Sequence, residues 1–157
     1  MTIIGLFGSV QVNAEQVGGW IERALLPAHG LLMHAKLDSG AETCSLNAQD
    51  MQLYMHDGQQ HVRFAVTDRD GNVATIDQPV VRWSRIKRHF TAPQERPVIE
   101  LSICIGNVSQ QVEVNLVDRK KLKYQLLIGR NFLADTTFID SGRTYLLQAD
   151  CAEPAKQ

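Results

Sequence analysis

Two short segments of the sequence combine residue types that could carry out and support acid–base chemistry. Asp38-Ser39-Gly40-Ala41 follows one apolar run, and Ile128-Gly129-Arg130-Asn131 lies much later in the chain at the end of another. The small residues that follow Asp38 let the chain leave the sheet sharply, so the carboxylate lies at the end of a strand and at the start of a turn. Asp38 is therefore either a turn former or an acid held in place for reaction.

In this order, and in a chain of short β-type runs, the two motifs resemble those of the retropepsin-type aspartic proteases, the family of the retroviral proteases. The chain also resembles a bacterial branch of that clan that is often labelled ATP-dependent zinc protease and is found near ATP-grasp glutamate ligases. This resemblance covers about residues 20–147 and is carried by "AKLDSGAETCSLNA", "VRF" (62–64), "RPV" (96–98) and "VEVNLVDR" (112–119).

The label of that branch does not fit the sequence. There is no Gly-x-x-x-x-Gly-Lys-Ser/Thr loop to hold ATP phosphates and no His-Glu-x-x-His pair to hold zinc. We therefore expect no cofactor and no metal site. His56, Asp57 and His61 form a near cluster in the sequence, but they surround a turn and lack a recognised metal-ligand spacing.

The resemblance implies that Asp38 is the catalytic carboxylate. A chain of 157 residues supplies one such acid, so the family's pair requires a homodimer in which Asp38 of each copy meets across a two-fold axis. Two like charges in contact cannot both ionise cheaply, so the pair shares one proton. Ser39 would then hold the loop by hydrogen bonds, while Gly40 and Ala41 leave room for the backbone and the substrate.

The same resemblance gives the second motif a supporting role. In the retroviral proteins the arginine of the Gly-Arg element pairs with the acid just after Asp-Thr-Gly-Ala, and the positions here are Arg130 and Glu42. We expect an ion pair that ties the active-site loop to a short helix after Gly129. A second Asp-Ser-Gly at 140–142 has too few residues after it for another lobe, and we interpret it as a turn.

The segment "RWSRIKRHFTAPQERP" at 82–97 falls where the family places the hairpin that covers the substrate. Five cations concentrate positive charge there: Arg82, Arg85, Lys87, Arg88 and Arg96. The functional interpretation is selection of an acidic peptide by Arg85, Lys87 and Arg88, and the alternative is a solvated hairpin. Trp83 would anchor the hairpin or line the cleft, and the lack of glycine argues against a highly mobile tip.

Alternating apolar and polar residues in segments such as "VIELSICI" and "VEVNLV" predict an all-β fold, a small closed barrel of the retropepsin type. One short C-terminal helix is expected at 131–134, and a weaker helical pattern covers 47–54. We divide the chain into an N-terminal strand segment (1–19), the retropepsin-like domain (20–148) and a flexible tail (149–157). The pattern of Cys44 and Cys104 favours buried thiols, although three cysteines leave room for one disulfide.

The net charge of −1 gives no general attraction to nucleic acid, and no apolar run is long enough for a membrane span. A soluble protein is expected, cytoplasmic as given or periplasmic if an upstream export signal was removed. The leading hypothesis is a dimeric aspartic endopeptidase acting on a peptide or protein. The alternatives are a non-catalytic, monomeric peptide-binding or regulatory module on the same fold, and a metal-dependent hydrolase.

Overall fold

The computed structural model describes residues 15–118 and 123–151, and these form short β-strands with a single α-helical turn. The strands are β1 (Gln16–Leu26), β2 (Leu31–Leu37), β3 (Cys44–Asn47), β4 (Gln49–His56), β5 (Gln59–Thr67), β6 (Val73–Pro79), β7 (Arg82–Ile86), β8 (Gln94–Ile105), β9 (Val108–Val117), β10 (Leu126–Ile128) and β11 (Thr137–Thr144), and the helix is α1 (Arg130–Leu133). The predicted all-β class and its one short C-terminal helix are confirmed. The strand predicted within residues 1–14 lies outside the described residues.

Six of the strands close into a ring. The main sheet has the order β11-β1-β2-β10-β3-β9-β8-β7, and β1 also pairs with β8 through Leu25 and Cys104. The ring therefore runs from β1 through β2, β10, β3 and β9 to β8, while β7 and β11 lie at the two ends of the sheet. A separate antiparallel sheet contains β4, β5 and β6.

The turns form where the sequence carries turn residues. Asp57 and Gly58 join β4 to β5 with positive φ angles of 48° and 77°, and Gly106 joins β8 to β9 at 59°. Positive φ is the backbone conformation that Gly, Asn and Asp tolerate best. The weaker helix prediction at 47–54 is wrong, because these residues end β3 and enter β4, where Leu53 pairs with Val62 of β5.

A single hydrophobic core joins both sheets. Alternate residues of β2 point inward, so that Leu31, Met33, Ala35 and Leu37 are all buried. The inward faces of β5 and β6 contribute their apolar side chains to the same cluster, which also includes residues of β9, β10 and α1. The second sheet is therefore a layer on the common core. None of the helices in the described part of the chain is long and apolar enough to cross a membrane.

The last described residues, 145–151, form a segment that we call the C-terminal strap. Cys151 is disulfide-bonded to Cys104 of β8, so the expectation that Cys104 is a free buried thiol is wrong, whereas Cys44 is free and buried as expected. The backbone N–H of Asp150 donates to the carbonyl of Gly106 at 2.8 Å. The beginning of the segment predicted as a flexible tail is thus fastened to the β8–β9 turn, and residues 152–157 lie outside the described residues.

A buried carboxylate holds the other end of the strap. The side chain of Glu22 in β1 is fully buried, and it accepts hydrogen bonds from the N–H groups of Gly19 (2.7 Å), Leu146 (2.7 Å) and Leu147 (3.2 Å). A buried carboxylate is tolerated only when hydrogen bonds replace its lost hydration. The neighbouring Arg23 donates to the carbonyl of Leu147 at 3.3 Å. The strap therefore follows β1 through specific polar contacts.

Removing the disulfide is expected to destabilise the fold. The bond closes a loop with a sequence separation of 47, and Cys151→Ser should lower the free energy of unfolding by about 2–4 kcal/mol because the unfolded chain regains its freedom. Denaturant unfolding in oxidising buffer measures the difference. In excess dithiol reductant the wild type and the variant should converge, and equal stability of the two in oxidising buffer would contradict a disulfide in the protein.

Candidate active site

Asp38 lies just beyond the end of β2, at the point where β2 pairs with β10. Its backbone N–H donates to the carbonyl of Ile128 at 2.8 Å, which continues the parallel pairing of Leu37 with Ile128. The carboxylate oxygen Oδ1 accepts the N–H of Gly40 at 3.0 Å, and the carbonyl of Asp38 accepts the N–H of Ala41 at 3.1 Å. The carboxylate is thus fixed by its own turn while its side chain keeps about 30% of its surface exposed.

Lys36 is a charged neighbour of Asp38 that was not predicted as a site residue. Its Nζ lies 3.9 Å from Oδ2 of Asp38, and its side chain is 44% exposed. An exposed ion pair at that distance contributes little to stability. The spacing of the two residues could have indicated the contact, because positions i and i+2 of a strand share a face.

The two motifs identified in the sequence meet at this turn. The N–H of Arg130 donates to the carbonyl of Ala41 at 2.8 Å, and the N–H of Asn131 donates to that of Glu42 at 3.0 Å. Gly129 leaves no room for a side chain, because a Cβ there would lie 2.7 Å from the carbonyl carbon of Thr43. The start of α1 therefore sits directly on the active-site loop.

Asn131 fastens this junction with its side chain. Its Oδ1 accepts the N–H of Cys44 at 3.0 Å, and its Nδ2 donates to the carbonyl of Glu113 at 2.8 Å. Asn131 belongs to the second motif, but no role was predicted for its side chain. Such a role is not visible in a single sequence, because it depends on β3, β9 and α1 meeting in space.

The ion pair predicted between Glu42 and Arg130 is not formed in the described residues. Nη1 of Arg130 donates instead to the carbonyl of Ser39 at 2.9 Å, so Arg130 contacts the active-site loop through the backbone. Glu42 is exposed, and its charge acts electrostatically on Arg82 of β7. The hydrogen bond that Arg82 donates to the Glu113 carboxylate is the main cause that raises the pKa of Arg82, and the charges of Glu113 and Glu42 add to it.

Cys44 lies directly beneath the loop as a neutral thiol. Burial raises its pKa to about 11, although the N–H of Gly129, 3.4 Å from Sγ, partly opposes the shift. Since only the thiolate is an effective nucleophile, Cys44 at neutral pH fills space and accepts a hydrogen bond. The cysteine contributes packing to the site.

The segment proposed to cover the substrate is a hairpin formed by β7 and the start of β8, and we call it the cationic hairpin (82–97). Arg82 is paired with Glu113 at 2.7 Å, and Trp83 Nε1 donates to Gln60 Oε1 of β5 at 3.0 Å. Trp83 thus anchors the base of the hairpin to the second sheet while remaining 42% exposed. Arg88 donates to Gln94 at 2.8 Å, and Arg85 and Lys87 are exposed.

Two cavities flank the active-site loop. The first, of about 380 Å³, lies between the loop and the cationic hairpin, and Glu42, Thr43, Ser84, Arg85, Arg96 and Asn115 are among its lining residues. The second, of about 490 Å³, lies on the side of β11 and is lined in part by Ser39, Arg130, Leu133 and Phe138. We call them the hairpin cavity and the β11 cavity. The β11 cavity reaches the Asp38 turn at Ser39, and the hairpin cavity reaches it at Ala41.

A turn between strands was predicted at the second Asp-Ser-Gly. This prediction is wrong, because residues 140–142 lie within β11. The register of β11 against β1 shifts here, which accommodates a bulge. Asp140 Oδ1 accepts the N–H of Gly142 at 2.9 Å, the same local bond that Asp38 makes with Gly40, and Asp140 Oδ2 lies 3.5 Å from Arg143. The local motif is therefore shared, and only Asp38 is joined to the Gly-Arg element.

The histidine cluster lies on the outer face of the second sheet. His61 Nδ1 is 3.6 Å from Asp77, and the ring of His56 packs edge-on against that of His61 at 5.3 Å. Asp77 also accepts a hydrogen bond from Tyr54 and forms an ion pair with Arg63. Within residues 15–118 and 123–151, no group of three or more His, Cys, Asp or Glu side chains is arranged to hold a metal ion.

Comparison with known families gives one match that covers most of the chain. The family model described as RimB-like, retropepsin-like aspartic endopeptidase RimB, matches residues 17–150. A crystal structure of a protein of unknown function from Legionella pneumophila is similar, with a TM-score of 0.73 and 30% sequence identity over 85% of this chain and 98% of that one. The matching family is named for an aspartic endopeptidase and not for a zinc protease.

Curated relatives carry a different name. Two proteins called probable alpha-L-glutamate ligase, from Shewanella pealeana and Desulfotalea psychrophila, are 27% and 28% identical to the chain over 130 and 149 residues. These matches cover 80% and 92% of this chain but only 28% and 31% of the relatives. The chain therefore corresponds to less than a third of the length of these relatives.

The close approach at Gly129 predicts a sharp response to a single added methyl group. Gly129→Ala would push Cβ against the backbone of Thr43, and it should lower the free energy of unfolding by about 1–3 kcal/mol by forcing the two loops apart. Gly142→Ala is the matched control, because its Cβ would meet only a side-chain oxygen at 3.4 Å, and it should stay within about 0.5 kcal/mol. Thermal unfolding of both variants checks this, and equal effects would contradict the described junction.

Proposed function

The chain belongs to the RimB-like family of retropepsin-like aspartic endopeptidases, and from that membership we propose that it hydrolyses peptide bonds with a pair of Asp38 carboxylates contributed by two copies. One observation carries the proposal. A carboxylate is held by its own turn, joined through Ile128 to the Gly-Arg element, and left partly exposed, and the residues Ser39 and Ala41 of the same turn each line a cavity. An acid built only to form a turn does not require this support from a distant loop.

The chemistry requires a second acid beside the first. One carboxylate of the pair takes a proton from the attacking water, while the protonated partner donates to the carbonyl oxygen of the peptide. Of the two Asp-Ser-Gly segments, that of Asp38 is the one joined to the Gly-Arg element, so in this proposal the second carboxylate comes from Asp38 of another copy. Ser39 and Gly40 would keep each acid in a fixed orientation as the two turns meet.

The surface beside the turn supports a role for a second copy. Val17 of β1 and Phe138 of β11 are register partners, and they are 51% and 59% exposed. Phe138 also lines the β11 cavity next to Ser39. A second copy that brought its own Asp38 to this site would cover these apolar side chains, which favours association.

The proposed substrate is an acidic peptide. Arg85 and Lys87 at the cationic hairpin are exposed beside the hairpin cavity, where their charge would attract anionic chains. The relatives named as glutamate ligases add support, because a ligase of that name makes products that contain glutamate. Ligase activity is proposed only for those longer proteins. The competing candidate is a monomeric peptide-binding module that lacks catalysis.

Asp38→Asn should reduce cleavage of a susceptible peptide by about a thousandfold or more, because the amide cannot take up a proton from water. The matched control is Asp140→Asn, which alters the other Asp-Ser-Gly and should leave activity within about twofold. Activity of the wild type should be highest below neutral pH, where the pair retains its shared proton. Peptide cleavage followed by mass spectrometry over a pH series measures all three.

Specific activity should also rise with protein concentration, in parallel with dimer formation seen by sedimentation. A fully active Asp38→Asn protein would refute the assignment. A protein that is monomeric at all concentrations and binds peptides without cutting them would support the binding module instead. Activity that disappears on chelation and returns with a metal would point to metal-dependent hydrolysis.

If the cationic hairpin attracts the substrate, the effect of salt on cleavage should depend on the charge of the substrate. Cleavage of an acidic peptide, expressed as kcat/KM, should fall several-fold between about 0.05 and 0.5 M salt, because screening shortens the reach of the cations. The same series on an uncharged peptide should change little. The double variant Lys87→Gln/Arg88→Gln should flatten the response to the acidic peptide, and an unchanged response would remove the hairpin from substrate attraction.

A further inference from the structure

We propose that the disulfide between Cys104 and Cys151 is a redox switch that holds the C-terminal strap on β1 in the oxidised protein and releases it on reduction. The reductant is a dithiol of the thioredoxin type. Release of the strap is independent of the proposed hydrolysis. Its consequence for the association of two copies rests on the proposed function, because that association uses β1 and β11.

The two cysteines of the disulfide differ in their exposure to solvent. Cys104 is fully buried in β8, whereas Cys151 in the strap is partly exposed. A thiolate of the reductant would therefore attack Sγ of Cys151, and the S–S bond breaks as the sulfur of Cys104 leaves and takes up a proton. The second thiol of the reductant then attacks the mixed disulfide and frees the Cys151 thiol. The protein gains two electrons and two protons, and the reductant becomes a disulfide.

The ring of strands can hold the reduced Cys104 without rearrangement. Cys104 is a register partner of Ser109 in β9 and of Leu25 in β1, so its place in the sheet does not depend on the disulfide. The carbonyl oxygen of Gly106 lies 3.7 Å from Sγ of Cys104 and 3.5 Å from Sγ of Cys151. A thiol formed by reduction therefore has an acceptor for its S–H close by. We expect the ring to remain closed while the strap changes.

The other contacts of the strap are ones that water can replace. None of the residues 145–151 is buried. The N–H of Tyr145 donates to the carbonyl of Ile21 at 2.8 Å, and the two N–H groups that follow donate to the Glu22 carboxylate. A departing strap would give water access to Glu22, so its charge would be hydrated again. Exposed segments with few buried contacts open at low free energy, and the disulfide therefore decides whether the strap stays on β1.

Release of the strap would remove packing from the region that two copies are proposed to share. Leu147 of the strap packs on the hydrophobic core. Its Cδ1 lies 3.4 Å from the position that a Cβ would take on Gly18, and Cδ2 of Leu37 lies 3.1 Å from the same position. Leu147 thus packs near the residue that directly precedes Asp38, and Gly18 belongs to the part of β1 that pairs with β11. Loss of this packing should loosen β11, whose exposed apolar side chain the proposed association covers.

Hydrogen exchange and alkylation test the switch without any need for enzymatic activity. The protein is equilibrated with dithiothreitol and its oxidised form at a series of ratios, and the free thiols of Cys104 and Cys151 are counted by mass spectrometry after quenching and alkylation. In the reduced protein the N–H groups of residues 145–147 should exchange at least about tenfold faster than in the oxidised protein, because they lose their acceptors. The N–H groups of β8 and β9 should change by less than about twofold.

Two variants separate the switch from other effects of the reductant. Cys151→Ser cannot form the bond, and its strap should exchange rapidly at every redox ratio. Cys44→Ser removes the free buried cysteine of the described residues and should leave the redox response of the strap as it is in the wild type. Unfolding curves confirm that each variant is folded. Sedimentation at the same ratios measures association, which should require a several-fold higher protein concentration in the reduced wild type and in Cys151→Ser than in the oxidised wild type.

The outcomes distinguish the switch from the proposed function. Free thiols at both Cys104 and Cys151 in protein purified without reductant would overturn the switch. Strap exchange that is equal in the two redox states would overturn it as well. A strap that is released while association stays the same would overturn the effect on association. A protein that stays monomeric in both states, or that cleaves no peptide, would count against the endopeptidase function alone, and redox-dependent exchange of its strap would still support the switch.

Discussion

The structure around the proposed site depends on one steric constraint, the crossing of two loops at Gly129. The Asp38 loop and the start of α1 approach so closely that the backbone of Thr43 occupies the place of a side chain at position 129. This approach allows the backbone hydrogen bonds from Arg130 to Ala41 and from Asn131 to Glu42. The orientation of the Asp38 turn is therefore set by main-chain contacts between distant parts of the sequence, which leave the carboxylate itself available.

Both sheets help to position the cleft. The closed ring of six strands fixes the loops that meet at Asp38, while the second sheet stands outside the ring and shares its core. Trp83 links the cationic hairpin to Gln60 of that second sheet, and Arg82 links it to Glu113 of the ring. The base of the hairpin is thus held from both sides, and freedom to move over a substrate would belong to the residues between β7 and β8.

Much of this arrangement could be predicted from local patterns, because alternation and turn residues act over a few positions. β2 ends at Leu37, directly before Asp38, and so coincides with the apolar run that the sequence shows in front of this residue, and the turns at Asp57-Gly58 and Gly106 form where Gly and Asp lie. The weaker helix at 47–54 failed because the residues also satisfy a period of two, and pairing with β5 decided between the two patterns. The disulfide of Cys104 and the partner of Arg130 could not be read from the sequence, since both depend on which distant segments meet.

The strap changes how β11 can leave the fold. A strand at the edge of a sheet near one end of a chain usually frays first, since little beyond it has to open. Here the residues after β11 return along β1, where they donate hydrogen bonds to the buried Glu22. The segment is then joined to β8 by the disulfide. Separating β11 and the strap from β1 therefore requires the buried Glu22 to lose its hydrogen bonds to the strap. In addition, β11 lies within the loop of chain that the disulfide closes. Digestion that proceeded along the strap towards β11 would have to pass the crosslink at Cys151 before it reached the edge on which the proposed association of two copies depends.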